Sequence, residues 1–183
     1  MSWQVFAKQL YRTRLMRTPE DAEAFDEALK ALYETRDPAT LPSFFAAFDD
    51  ATEYQDVMWG LVHTTKAFAL RDYLRELGLA VPKMLPRAKE WAKLLHLRLL
   101  SSEKETQAYS KLIPTFPERT QQAIRKLLTE LAAEEPEEVE GIKKLRGDSP
   151  PGKSARRTVT TRRTAAKKTG GGRKAVKKKG SKR

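Results

Sequence analysis

Positive charge is confined to one end of this 183-residue chain. Residues 148–183 hold 14 Lys and Arg against a single acid, while the remainder holds 22 against 23. The net charge of +12 therefore belongs to the C-terminal segment, and the rest is electrically balanced. Every aromatic residue lies between Trp3 and Phe116. A segment with no aromatic side chain and few aliphatic ones buries too little apolar surface to offset the entropy of ordering its backbone. The sequence thus predicts two parts, an all-α domain over residues 1–146 and a disordered Lys/Arg-rich tail over 147–183. The first is the size of one ordinary domain and long enough to enclose a core.

Several function classes drop out early. The chain has no cysteine, so disulfides, thiolate metal sites and Cys nucleophiles are excluded, in keeping with a reducing compartment. Its start, Met1-Ser2-Trp3-Gln4-Val5-Phe6-Ala7-Lys8, has no long apolar region of the secretory type. No apolar run approaches the roughly 18 residues of a membrane span. These features predict a soluble cytoplasmic protein. Gly-rich phosphate loops, nucleophile elbows and His-Glu-x-x-His helices are missing from the first 146 residues. No cofactor and no enzyme activity are expected.

That part of the chain reads as successive helices, rich in Leu, Ala, Glu, Lys and Arg and poor in Val and Ile. Trp3, Phe6 and Leu10 mark a first helix by their spacing. Thr18-Pro19-Glu20-Asp21 combines a cap, a proline that gives up an orphan N–H, and acids at the positive end of the dipole. Phe25, Ala28, Leu29 and Leu32 form its apolar stripe. A third helix carries Phe44, Phe45 and Phe48 and is broken by Asp49-Asp50. A fourth, from about Glu53 to Phe68, is apolar over much of its circumference, which predicts a central, buried helix. A fifth runs over Arg71 to Leu77, with Gly78 expected as its left-handed C′ residue. Pro82 and Pro86 then bracket the entry to a helix bearing Trp91, Leu94, Leu95 and Leu99. Ser102-Glu103-Lys104-Glu105 has the pattern of a capping box. Pro114 separates that helix from one through Ile124, Leu127, Leu128 and Leu131, and a frayed last helix is expected to about Leu145. Seven or eight helices make either a multi-helix bundle or a short irregular α-solenoid, and no regular repeat period decides between them.

Phe48-Asp49-Asp50, Asp56-Val57-Met58-Trp59-Gly60-Leu61-Val62-His63, Tyr73-Leu74, Lys89-Glu90-Trp91-Ala92 and Leu95-His96-Leu97-Arg98-Leu99-Leu100 together resemble the Imm30 family of bacterial immunity proteins. The resemblance covers about Met1 to Leu131. It implies a small helical protein that binds and neutralises a cognate toxin of a polymorphic toxin system. Two positions depart from the family pattern. Lys66 stands where a Glu usually follows His-x-x, and Ser101 where an Asn usually follows Arg-x-Leu. If the family's Glu makes a buried ion pair with the Arg of the later helix, a lysine facing Arg98 is repulsive, so either that pair is absent here, or Lys66 turns to solvent and another acid serves Arg98.

Five residues are the candidate contacts for such a partner: Asp49, Asp50, Glu53, His63 and Arg98. The plainer reading of the acids is helix-terminal charge that favours the dipole of the Glu53 helix. The plainer reading of His63 is a core histidine with a locally satisfied ring N–H. His96 makes a poor metal partner, with no Asp or Glu three or four residues on from either histidine. Trp59 and Trp91 read as core, and Trp3 is open.

The breaker cluster Gly147-Asp148-Ser149-Pro150-Pro151-Gly152 opens the tail. Basic clusters follow at Arg156-Arg157, Arg162-Arg163, Lys167-Lys168, Arg173-Lys174 and Lys177-Lys178-Lys179. Gly170-Gly171-Gly172 reads as a flexible spacer. The composition resembles the Lys/Ala-rich C-terminal tails of linker-histone-like bacterial proteins, which implies contact with DNA or RNA. A solubilising role and contact with anionic lipid are the alternatives. Without aromatic stacking or a groove-reading helix, such contact does not discriminate sequence. The sequence leaves the oligomeric state open. If half of the tail cations meet phosphates, affinity for duplex DNA falls with salt at a log–log slope of about −6. A gel-shift series over salt should show that slope in the full chain, and removal of residues 148–183 should abolish the shift.

Overall fold

The computed structural model describes residues 2–147. Among these residues all regular structure is helical. The α-helices are α1 (Trp3–Arg12), α2 (Pro19–Glu34), α3 (Leu41–Ala47), α4 (Gln55–Lys66), α5 (Leu70–Met84), α6 (Lys89–Leu100), α7 (Glu103–Leu112), α8 (Glu118–Glu134) and α9 (Val139–Arg146). Short 3-10 turns precede α3 and α9 and follow α7. None of these helices is long and apolar enough to cross a membrane. The tail and everything read into its basic clusters lie outside the described residues.

Local chemistry sets several boundaries. The Thr18 hydroxyl accepts the Asp21 N–H at 3.2 Å, and the Asp21 carboxylate reaches back to the Arg17 N–H, also at 3.2 Å. That closes the first turn of α2 from both sides. Ser102 caps α7 through the Glu105 N–H at 3.4 Å, but the Glu105 carboxylate is used elsewhere, so only half of the expected capping box forms. Gly147, at φ 76°, ends α9 in the left-handed conformation.

The helices stack in two rows. The odd-numbered helices pack in sequence, α1 on α3, α3 on α5, α5 on α7 and α7 on α9. In the other row α2 packs on α4 and α6 on α8. This is the short irregular α-solenoid, and its core is continuous from Leu10 to Leu145. The irregularity is centred on α5, which also packs against α4, α6 and α8.

Helix α5, not α4, holds the central position. Tyr73, Leu74, Leu77, Gly78, Val81 and Met84 are all buried on α5. Helix α4 buries one stripe, Met58, Leu61, Val62 and Thr65, and leaves Val57 and Trp59 half-buried. Apolar circumference was a misleading sign here, because part of the apolar surface of α4 meets a gap between helices.

Gly78 is the second correction. It lies inside α5, not at its end, and the helix continues through Pro82 to Met84. A Cβ at Gly78 would lie 2.4 Å from Cζ of Phe116. The glycine is there so that the Phe116 ring can lie directly on the helix. Pro82 has no N–H for the Gly78 carbonyl. The next turn still closes, with the Leu85 N–H donating to Val81 at 3.0 Å.

Replacing an interior helical glycine by alanine normally stabilises a helix by about 1 kcal/mol. Here the methyl group must displace an aromatic ring, so Gly78→Ala should destabilise the protein by about 1–3 kcal/mol. In a Phe116→Leu background the same substitution should be close to neutral. Urea unfolding of the four variants measures both values.

Candidate functional site

Between α4 and α6 the even-numbered row is interrupted, and aromatic side chains fill the opening. The rings of Trp59 on α4 and Trp91 on α6 meet edge to face, with centroids 5.8 Å apart at 78°. Trp91 is buried, with its ring 5.6 Å from that of Phe48. Trp59 stays half-buried. In front of the pair lies a cavity of about 240 Å³, lined by Asp50, Gln55, Trp59, Glu90, Trp91 and Leu94. Towards the other end of the two helices, Trp59 carries two further residues. The exposed His63 ring lies 6.4 Å from it, and the Arg98 guanidinium sits over it at 5.7 Å. The Arg98 Nε is buried and makes no hydrogen bond. A guanidinium on an indole face is held by the quadrupole of the ring, a contact of about 0.5–2 kcal/mol.

The three candidate acids have separate roles. Asp49 is buried, accepting Arg14 Nε at 3.0 Å and the Ala51 N–H at 3.1 Å. Asp50 accepts the Glu90 N–H at 3.1 Å and the Trp91 N–H at 3.3 Å. It caps α6 across 40 residues of chain, where the helix dipole favours its charge. Its own N–H donates to the Arg87 carbonyl at 2.8 Å. Glu53 donates its N–H to Leu15 at 3.2 Å and leaves its side chain exposed. The expectation that this pair of aspartates serves the following helix is therefore corrected. Helix α4 has no side-chain cap, and Asp50 serves α6.

The plainer reading of His63 as a core histidine is corrected. His63 is exposed, on the Trp59 side of α4 and off its buried stripe. His96 is the core histidine. It is fully buried, with Nδ1 2.7 Å from the Ala92 carbonyl and Nε2 3.2 Å from the Tyr109 hydroxyl. Burial pushes its pKa down to about 4, against the smaller opposing effect of the Ala92 hydrogen bond. The distinguishing signal was helical face, not apolar neighbours, since His96 falls in line with Ala92 and Leu99. Among the described residues, no three His, Asp or Glu converge as a metal site.

The charge departure at Lys66 is settled by a third helix. Lys66 Nζ pairs with Glu105 of α7 at 2.9 Å. Among the described residues no carboxylate lies within ion-pair distance of Arg98, whose backbone carbonyl accepts the Ser101 hydroxyl at 2.8 Å. Beside them the buried Tyr73 hydroxyl has no hydrogen-bond partner. Burial and then the Glu105 charge push its pKa up, and Arg98 opposes them.

Comparison with protein-family models matches the chain to Imm30, described as Immunity protein 30, over residues 12–109. No curated protein and no solved structure matches it. The matched span contains the whole α4–α6 face.

Burial of His96 ties stability to pH. Its folded pKa of about 4 lies below the usual value of about 6.5, so above pH 6.5 the ring is neutral in both states and contributes no pH dependence. As pH falls from about 6.5 to about 4, the unfolded chain takes up a proton that the folded one refuses. Stability then drops by about 3 kcal/mol and levels off below. Substituting His96→Gln should remove that component. The stability gap between wild type and variant, measured by denaturant titration, should shrink between about pH 7.5 and pH 4.5.

Proposed function

The chain belongs to the Imm30 family, Immunity protein 30, and from that membership we propose that it binds a cognate bacterial toxin and neutralises it by docking, without chemistry of its own. The observation that carries this reading is the α4–α6 face itself. It presents a half-buried Trp59 under a guanidinium, with an exposed imidazole beside it. Trp and Arg are the residue types that dominate binding hot spots, above all where the surroundings already exclude water. Glu53, His63 and Arg98 meet the partner. Asp49 acts from behind, by holding the turn after α3, and Asp50 sets the start of α6 at the rim of the groove. The face is pre-built by hydrogen bonds, so little ordering cost attends docking.

The domain division fits the same reading, with residues 1–146 as the docking module and 147–183 as a tail that holds DNA or RNA without sequence preference. In the cytoplasm such a tail keeps the inhibitor close to nucleic acid. The segregation of 14 cations into the last 36 residues also favours a second reading, a nucleoid-associated or regulatory protein in which the tail is the working part.

Co-expression with the toxin-domain product of an adjacent gene tests the first reading. Protection is expected, and Arg98→Ala should weaken toxin binding by about 2 kcal/mol, roughly thirtyfold in Kd, beyond the loss of about 0.5–2 kcal/mol in stability from its contact with Trp59. Asp49→Ala, by contrast, should lower stability, because it leaves Arg14 without its partner. Continued killing with both proteins soluble would remove the docking reading.

A further inference from the structure

The mouth of the α4–α6 groove is acidic. Asp50 and Glu90 line it, and Glu53 and Asp56 lie on the adjoining turn and first turn of α4. Of these four, only Glu90 has an ion-pair partner among the described residues. That partner, Lys93, is buried and lies closer to Glu134, at 2.7 Å, than to Glu90, at 3.1 Å. Glu90 keeps its side chain 69% exposed. Each Asp50 oxygen accepts one hydrogen bond from the amides of α6, and a carboxylate has about four acceptor sites, so each oxygen retains capacity. The mouth therefore carries carboxylates with acceptor capacity to spare beside the Trp59–Trp91 pair.

Within this chain the indole already holds a guanidinium, that of Arg98 over Trp59. A second cation approaching from the solvent side meets the same aromatic pair together with two carboxylates. A planar group that stacks on rings and donates in a fork fits such a site better than a compact ammonium. Anionic groups are repelled by the rim, and a purely apolar group leaves the carboxylates without counter-charge.

We propose that this groove is an arginine receptor: the docked partner inserts an arginine side chain between Asp50 and Glu90 and against Trp59 and Trp91. The proposal rests on the toxin-docking reading for the identity of the partner, but the groove can be probed without a toxin. The probe is N-acetyl-arginine amide added to the full chain, with N-acetyl-citrulline amide as the uncharged isostere, followed through the indole N–H resonances of the three tryptophans. The arginine probe should shift Trp59 and Trp91 saturably and leave Trp3 unmoved, and the citrulline probe should bind at least about tenfold more weakly. Glu90→Gln combined with Asp56→Asn should reduce arginine binding by about tenfold, with the remaining amide spectrum unchanged because both side chains are exposed. Equal shifts from the two probes, indoles that do not respond, or a response that survives the double substitution would overturn the proposal. Failure of the docking reading is seen separately, as a toxin that the wild-type chain does not bind.

Discussion

Helix α5 must be buried on several sides at once, and most of the architecture follows from that demand. Its odd-numbered neighbours α3 and α7 flank it in its own row, and α4, α6 and α8 pack on it as well. To admit them it carries a glycine where the Phe116 ring lies against the helix, and a proline four residues later that gives up a backbone hydrogen bond. Both residues are unfavourable in a helix considered alone. They are tolerated because close packing around Tyr73, Leu77 and Val81 outweighs the local cost.

Enclosure of α5 leaves α4 and α6 apart, and the Trp59–Trp91 groove occupies the space between them. Its walls are fixed from one turn. Arg87, just before α6, donates to the Ala46 carbonyl at 2.6 Å, and the Asp50 N–H donates to the Arg87 carbonyl at 2.8 Å. The Asp50 carboxylate then caps α6, and Phe48 packs on Trp91. The turn after α3 thereby sets both the start of α6 and the position of one groove wall. A cap of this type contributes about 1 kcal/mol. Its larger effect is geometric, since it brings acidic charge to the mouth of an aromatic groove while serving a structural need.

Lys66 and Arg98, which the resemblance set against each other, each find a different neighbour in the structure. A lysine at position 66 would oppose Arg98 if both turned to the same place. Glu105 of α7 takes the lysine instead, at 2.9 Å, and Arg98 is held by the Trp59 ring without a carboxylate. The arginine is thus kept in position by the ring, with its buried Nε making no hydrogen bond.

Helix content, the cap at Thr18, the break at Asp49-Asp50 and the apolar stripe of α2 were legible in the sequence, because each depends on residues within one or two turns of one another. The charge segregation was equally plain, since it is a matter of composition. Tertiary structure alone decided the rest. The choice between bundle and solenoid, the central place of α5, the meaning of Gly78, the exposure of His63 and burial of His96, and the service of Asp50 to a helix 40 residues away all depend on which elements come to lie together. Sequence spacing states which face a residue occupies. It does not state what that face will meet, because burial, pairing and capping are settled by neighbours distant in the chain.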